Sequence, residues 1–194
     1  LVVYKRNSIY VIIFTGDADI PFIVQRTNSA VGCVAPFSIQ TVENGHVFCA
    51  YDGIYYFDGS NAYKMSDKIT DTFLGVNFTE MGEASSLYQQ VKNRYLLSCP
   101  SGTSLYNNFV LGWNSYTNGW TKYTGMSASA MAIFLVNGVE ERPYFSDYSG
   151  YTYRSDYGDN DYPTGLQQEL IEFSLVPFTI ILPLFPYLLN VGIL

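Results

Sequence analysis

From residue 37 the chain alternates short apolar runs with turn-forming residues: "FSIQTV", Glu43-Asn44-Gly45, "HVFCAY", Asp52-Gly53, "IYYF", Asp58-Gly59 and "SNAYKMS". Runs of this length, rich in β-branched and aromatic residues and bounded by Asx-Gly pairs, predict strands joined by hairpins. Asn-Gly and Asp-Gly suit two-residue type I′ loops, in which both central residues need positive φ. The stretch therefore predicts a four-stranded antiparallel meander.

The meander recurs along the chain. Residues 48–56, "FCAYDGIYY", align without gaps with residues 145–153, "FSDYSGYTY". Fainter copies lie at 97–105, "LSCPSGTSL", and at 3–11, "VYKRNSIYV". The corresponding turns, Asn7-Ser8, Asp52-Gly53, Ser101-Gly102 and Ser149-Gly150, are spaced by 45, 49 and 48 residues. A second series, Asn44-Gly45, Lys92-Asn93 and Asn137-Gly138, follows "SIQTV", "SLYQQV" and "MAIFLV" with the same period. Four short strands repeating every forty-odd residues mark a β-propeller blade, because one such sheet cannot bury its own apolar faces and must stack on a neighbour. The expected fold is all-β: a β-propeller-like stack of about four antiparallel four-stranded blades with a period of about 48 residues, belonging to a larger propeller. Residues 67–84, "DKITDTFLGVNFTEMGEA", break the alternation. Asp71 could cap one short helical turn there, and no long helix is expected.

This places blades in residues 1–165 and leaves 166–194 as an apolar, proline-containing tail. The tail holds "FSLVPFTIILPLFPYLLNVGIL" (173–194), which carries no charge and is long enough to span a bilayer. Pro177, Pro183 and Pro186 argue against a spanning helix, and no Lys or Arg follows Arg154 to anchor it. A short buried tail or a stretch read in a shifted frame fits better. The first residue, Leu1, precedes neither a charged leader nor a cleavage site, so the chain is expected to start inside a longer protein.

Composition supports the strand reading: 18 Tyr and 13 Phe favour half-buried pleated surfaces. With 10 Lys+Arg against 17 Asp+Glu the net charge is −7, and no basic stripe exists to displace counterions from phosphates, so direct nucleic-acid recognition is not expected. Cys33, Cys49 and Cys99 fit neither a disulfide framework nor a zinc site and are expected to be buried thiols.

Catalytic signals are sparse. His46, the one histidine, reads as an ordinary exposed strand residue, and no nucleophile elbow, zinc helix or phosphate loop occurs. No pair of carboxylates suited to glycoside cleavage can be placed, so an enzyme is not expected. "SDYSGYTY" (146–153) approaches the S-x-D-x-G-x-x-W turn of sialidase-like propellers but has Tyr148 at the Asp position. Asp156, Asp159 and Asp161 form an acidic loop whose oxygens could hold Ca²⁺, without EF-hand spacing. No other cofactor is indicated. Trp113 and Trp120 flank a turn at Thr117-Asn118-Gly119; with Tyr116 they are either inter-blade packing or a stacking surface for a ligand.

The block "SAVGCVAPFSIQTVENGHVFCAYDGIYYFDGSNAYKMSDKI" (29–69) resembles structural proteins of tailed bacteriophages, β-propeller proteins of the tail tube, nozzle or head–tail junction that stabilise the tail. The residues that carry the resemblance are Gly32-Cys33-Val34-Ala35-Pro36, Asp52-Gly53-Ile54-Tyr55, Phe57-Asp58-Gly59 and Ser66-Asp67-Lys68-Ile69. It extends over residues 1–165. It implies a non-enzymatic virion protein, with copies ringed around a DNA channel and contacting other tail or portal proteins. An acidic channel wall would not grip DNA in transit. The alternative is an extracellular or periplasmic propeller that binds glycan or peptide through aromatic loops.

Overall fold

The computed structural model describes residues 1–156, which form four antiparallel meanders. Sheet I contains β1 (Val2–Lys5), β2 (Ser8–Phe14) and β3 (Phe22–Arg26). Sheet II contains β4 (Gln40–Val42), β5 (Gly45–Ala50), β6 (Gly53–Phe57) and β7 (Ala62–Lys64). Sheet III contains β8 (Ser85–Gln89), β9 (Arg94–Cys99), β10 (Phe109–Asn114) and β11 (Gly119–Thr124). Sheet IV contains β12 (Ala130–Val136), β13 (Glu140–Ser146) and β14 (Thr152–Arg154). Every strand pairs with its neighbour in sequence, and no sheet closes on itself. Between sheets II and III lies one short helix, α1 (Thr70–Leu74), with Asp71 in its first turn, flanked by 3₁₀ turns at Asp67–Ile69 and Phe78–Glu83.

The alternation of side chains along each strand shows how the sheets pack. On β5, Val47 and Cys49 join the core shared with Tyr95, Leu97, Cys99, Phe109, Leu111 and Trp113 of sheet III. Their neighbours Phe48 and Ala50, with Tyr55 and Phe57 on β6, turn the other way and meet Ile9, Tyr4 and Val11 of sheet I. On sheet III, Leu87, Leu96 and Val110 point away from sheet II and meet Met131 and Ile133 of sheet IV. The order of packing is therefore I, II, III, IV, with sheets II and III covered on both faces. Two-sided burial explains why "VFCA" and "IYYF" lack the polar alternation of a sheet with one wet face. Complete burial of Phe48 and near-complete burial of Phe57 contribute about 1.5–3 kcal/mol each. The first strands line up across sheets: Gln40 Nε2 donates to Ser86 O and Oγ, linking β4 to β8, and Met131 N donates to Ser85 Oγ, linking β8 to β12.

The turns follow two different rules. Asn137-Gly138 has the expected type I′ form, with φ of 53° and 74° and Val139 N donating to Val136 O. Gly59, Gly102 and Gly150 also have positive φ. At Asn44-Gly45 and Asp52-Gly53 the expectation is corrected, because none of these four residues has positive φ. The two-residue loops are Glu43-Asn44 and Tyr51-Asp52; Gly45 and Gly53 begin the next strands, opposite Val42 and Ala50. Glycine is required there by crowding: a Cβ on Gly45 would lie 2.1 Å from Phe57 O, and one on Gly53 would lie 2.3 Å from Ser66 Oγ. In sheet I the loop is Arg6-Asn7, one residue before the expected turn. Asp58 closes its loop by accepting the amides of Ser60 and Asn61. Ser101-Gly102 belongs to the connection between β9 and β10, where Ser101 bridges to Val76.

The gapless alignment of copies two and four also shifts. Phe48 stacks on Tyr55 at 5.9 Å, whereas Phe145 stacks on Tyr153 at 5.1 Å. The structural equivalent of Tyr153 is thus Tyr55 and not Tyr56, because the loop before β14 is longer than Tyr51-Asp52. The expected tail at 166–194, including 173–194, lies outside the described residues. Among the described residues no helix is long and apolar enough to cross a membrane.

Candidate functional site: an aromatic cleft between two sheets

Three hairpin loops meet at one end of sheets II and III. They are Glu43-Asn44 before β5, the loop ending at Asn93 before β9, and Ser115 to Asn118 before β11. Between them opens a cleft of about 320 Å³. Its apolar walls are the rings of Tyr56, Tyr88, Trp113 and Tyr116, with Val42 beneath, and its polar groups are Glu43, Asn44, Asn93 and Ser115.

The register explains why these side chains converge. Trp113 lies opposite both Tyr95 and Trp120, on the face of sheet III that packs on sheet II. Its ring is fixed by Nε1 donating to Asn118 Oδ1 at 3.0 Å. The next loop is tied by Asn114 Oδ1, which accepts the amides of Tyr116 and Thr117 and the Thr117 hydroxyl. Asn118 completes the reversal in the left-handed region with φ of 50°. Tyr116 is thereby held out from a rigid loop with 88% of its surface exposed. Tyr88 contributes a buried hydroxyl with no hydrogen-bond partner among the described residues. Glu43 is the one charged residue among the described residues lining the cleft.

Trp113, Tyr116 and Trp120, neighbours around one turn in the sequence, part company in the structure. Trp113 and Tyr116 line the cleft. Trp120 packs against the core below and donates Nε1 to Met65 O, 3.3 Å away on the segment after β7. Sequence alone does not single out Tyr56, Tyr88 or Glu43; the available signal is the turn series, whose loops end at Asn44 and Asn93 directly before β5 and β9.

The other candidates resolve as follows. His46 is half-buried instead of exposed: its Nδ1 is 2.8 Å from Tyr4 Oη, and burial lowers its pKa. Cys33, Cys49 and Cys99 are buried free thiols, pushed upward in pKa by burial. Of the acidic loop, Asp159 and Asp161 lie outside the described residues. Asp156 receives Arg94 and, at 3.0 Å, Lys92. Burial opposes its charged form, yet the two cations outweigh burial and hold its carboxyl below the usual range. Among the described residues no three His, Cys, Asp or Glu side chains gather as a metal site.

These features define an all-β protein built by stacking repeated antiparallel meanders, with an aromatic cleft where two of them meet. No protein-family model and no curated protein matches the chain.

Proposed function

We propose that the chain is a non-enzymatic assembly protein of β-propeller type, a virion component of the tail or head–tail junction of a tailed bacteriophage. The observation that carries this reading is a face of sheet I that no other sheet among the described residues covers. In the stack, each sheet presents one kind of face to the sheet before it: Phe48 and Tyr55 on sheet II, Leu97 and Leu111 on sheet III. By the repeat spacing, Val3 and Tyr10 are the equivalents on sheet I, paired across β1 and β2. That face continues through Phe14, Phe22 and Val24, exposed by 69%, 59% and 63%. Covering such side chains yields about 1.5–3 kcal/mol each.

The occupant is a second copy of this chain, seated as the internal sheets already sit on one another. The far face of sheet IV offers Ala130, Ala132 and Phe134, all exposed. A contact of unlike faces is heterologous, so its rotation either closes into a ring or extends into a fibre. Alignment of the first strands β4, β8 and β12 supports a propeller-like sweep about an axis, and a ring of copies suits a channel-lining virion protein.

Light scattering on the full chain and negative-stain microscopy test this. Rings or larger closed oligomers are expected at micromolar concentration, with Phe14→Asp/Val24→Asp returning a folded monomer. A wild-type chain that stays monomeric, or oligomers untouched by that double variant, would remove the basis for the assembly role.

A further inference from the structure

We infer that the cleft between sheets II and III binds a neutral carbohydrate of one or two rings. This proposal does not rest on the assembly reading, since the cleft is lined by residues of sheets II and III and none of β2 or β3.

Its size stands at the lower end of the roughly 300–1,000 Å³ typical of small-molecule sites. The lining combines flat aromatic faces with short hydrogen-bonding groups. A sugar ring is amphipathic in the same sense: its C–H face packs on an aromatic ring while its rim of hydroxyls both donates and accepts. Asn44 and Asn93 each offer a donor and an acceptor, Ser115 a hydroxyl, and Glu43 acceptors only. An aliphatic chain would strip water from these groups without replacing their hydrogen bonds, which is costly. An anionic ligand would meet Glu43 and, among the described residues lining the cleft, neither Lys nor Arg.

Preorganisation strengthens the case. Trp113 is pinned through Asn118, and the Tyr116 loop is pinned through Asn114, so little side-chain or loop freedom is lost on binding. Among the described residues Tyr116 makes none of the ring contacts that anchor other aromatics, such as Phe48 with Tyr55 or Trp113 with Trp120. A ring held rigidly in water on a fixed loop gains its return when a ligand covers it.

The full chain is to be titrated with glucose, galactose, N-acetylglucosamine and their β-linked disaccharides, followed by saturation-transfer NMR and Trp fluorescence, with tetramethylammonium as a cationic control. At least one sugar is expected to bind with Kd of about 1 mM or tighter. Tyr116→Ala is expected to weaken it about tenfold, a loss near 1.4 kcal/mol, while Tyr116→Trp retains binding. Thermal stability should stay unchanged in both variants, because Tyr116 is exposed. Absence of saturable binding across the panel overturns the proposal, as does binding that survives Tyr116→Ala intact. Tighter binding of tetramethylammonium than of every sugar would also overturn it, reassigning the rings as a cation cage.

Discussion

Replacing Gly45 with alanine tests whether glycine serves as a turn former or as a spacer. A Cβ there would stand 2.1 Å from the carbonyl oxygen of Phe57 and 3.0 Å from the Tyr56 ring. The first distance falls at least about 1 Å short of ordinary contact, and the obstacle is backbone in the β5–β6 ladder, not a flexible side-chain end. Relief requires β5 and β6 to part beside the His46–Phe57 pair. Losing one ladder hydrogen bond costs about 1 kcal/mol, and forced overpacking about 1–3 kcal/mol more. Gly45→Ala should therefore destabilise by about 2–4 kcal/mol, seen in urea unfolding followed by circular dichroism as a lower midpoint with unchanged slope. Gly138 is the control: its φ is 74° and a Cβ there meets nothing within 4 Å. Gly138→Ala should cost only about 1 kcal/mol, and Gly138→Asn less, since Asn tolerates the left-handed region. At Gly45 asparagine should be no better than alanine. Recovery of stability by Gly45→Asn, or a Gly45→Ala cost below about 1 kcal/mol, would refute the crowding argument.

Four further outcomes follow from polar groups that are wholly or partly removed from water. Tyr88→Phe removes a hydroxyl that is buried with no partner among the described residues, so it should be neutral or stabilising by about 1 kcal/mol in the same unfolding assay; clear destabilisation would mean that the hydroxyl is satisfied. Asn107 is fully buried and its Nδ2 donates to Glu83 O and Ala128 O, tying the connection before β10 to the chain on either side. Asn107→Ala should cost about 2–4 kcal/mol, while Asn108→Ala, at an exposed neighbour, should cost less. His46 has a folded pKa held below its unfolded value by burial, so the unfolded chain binds the extra proton. Its contribution is full above about pH 6.5 and is lost as pH falls toward the folded pKa; His46→Asn should flatten the profile of thermal stability in that window. Asp156 has its pKa depressed, burial being outweighed by Arg94 and Lys92, so its contribution is present above the ordinary carboxylate range and lost in stronger acid. Asp156→Asn should erase that acid-limb loss, which parallel melts across acidic pH would detect.

The meanders were legible because hairpins are local. β4 to β7 follow from apolar runs and turn residues within one repeat, and the same pattern returns in β8–β11 and β12–β14. The reason for each glycine was not legible. Asn44-Gly45 and Asn137-Gly138 are the same dipeptide, yet only the second uses positive φ. What separates them is the proximity of Phe57, which depends on β6 crossing beside β5. His46 illustrates the same limit: its partner Tyr4 is 42 positions away and comes from the neighbouring sheet. The cleft was half legible, since Trp113 and Tyr116 are close in sequence, whereas Tyr56 and Tyr88 reach it only through stacking.

One consequence of the stack reaches back into the sequence. The repeat spacing makes Val3, Phe48, Leu97 and Phe145 equivalent. Phe48 then faces sheet I, Leu97 faces sheet II, and Phe145, directly opposite Met131, faces sheet III. Three equivalents point the same way along the stack, so the repeat carries a direction as well as a strand order. Val3 inherits that direction and lies away from sheet II, whereas Tyr4 and Ile9 on the opposite side of the same strands are packed on it. An apolar set of residues on a face with no described sheet against it is the same device that builds the three internal junctions. Charging that face at Phe14 and Val24 should therefore alter association and leave folding intact, because the described contact it loses, the exposed Phe14–Phe22 ring pair, lies within sheet I and joins it to no other described sheet.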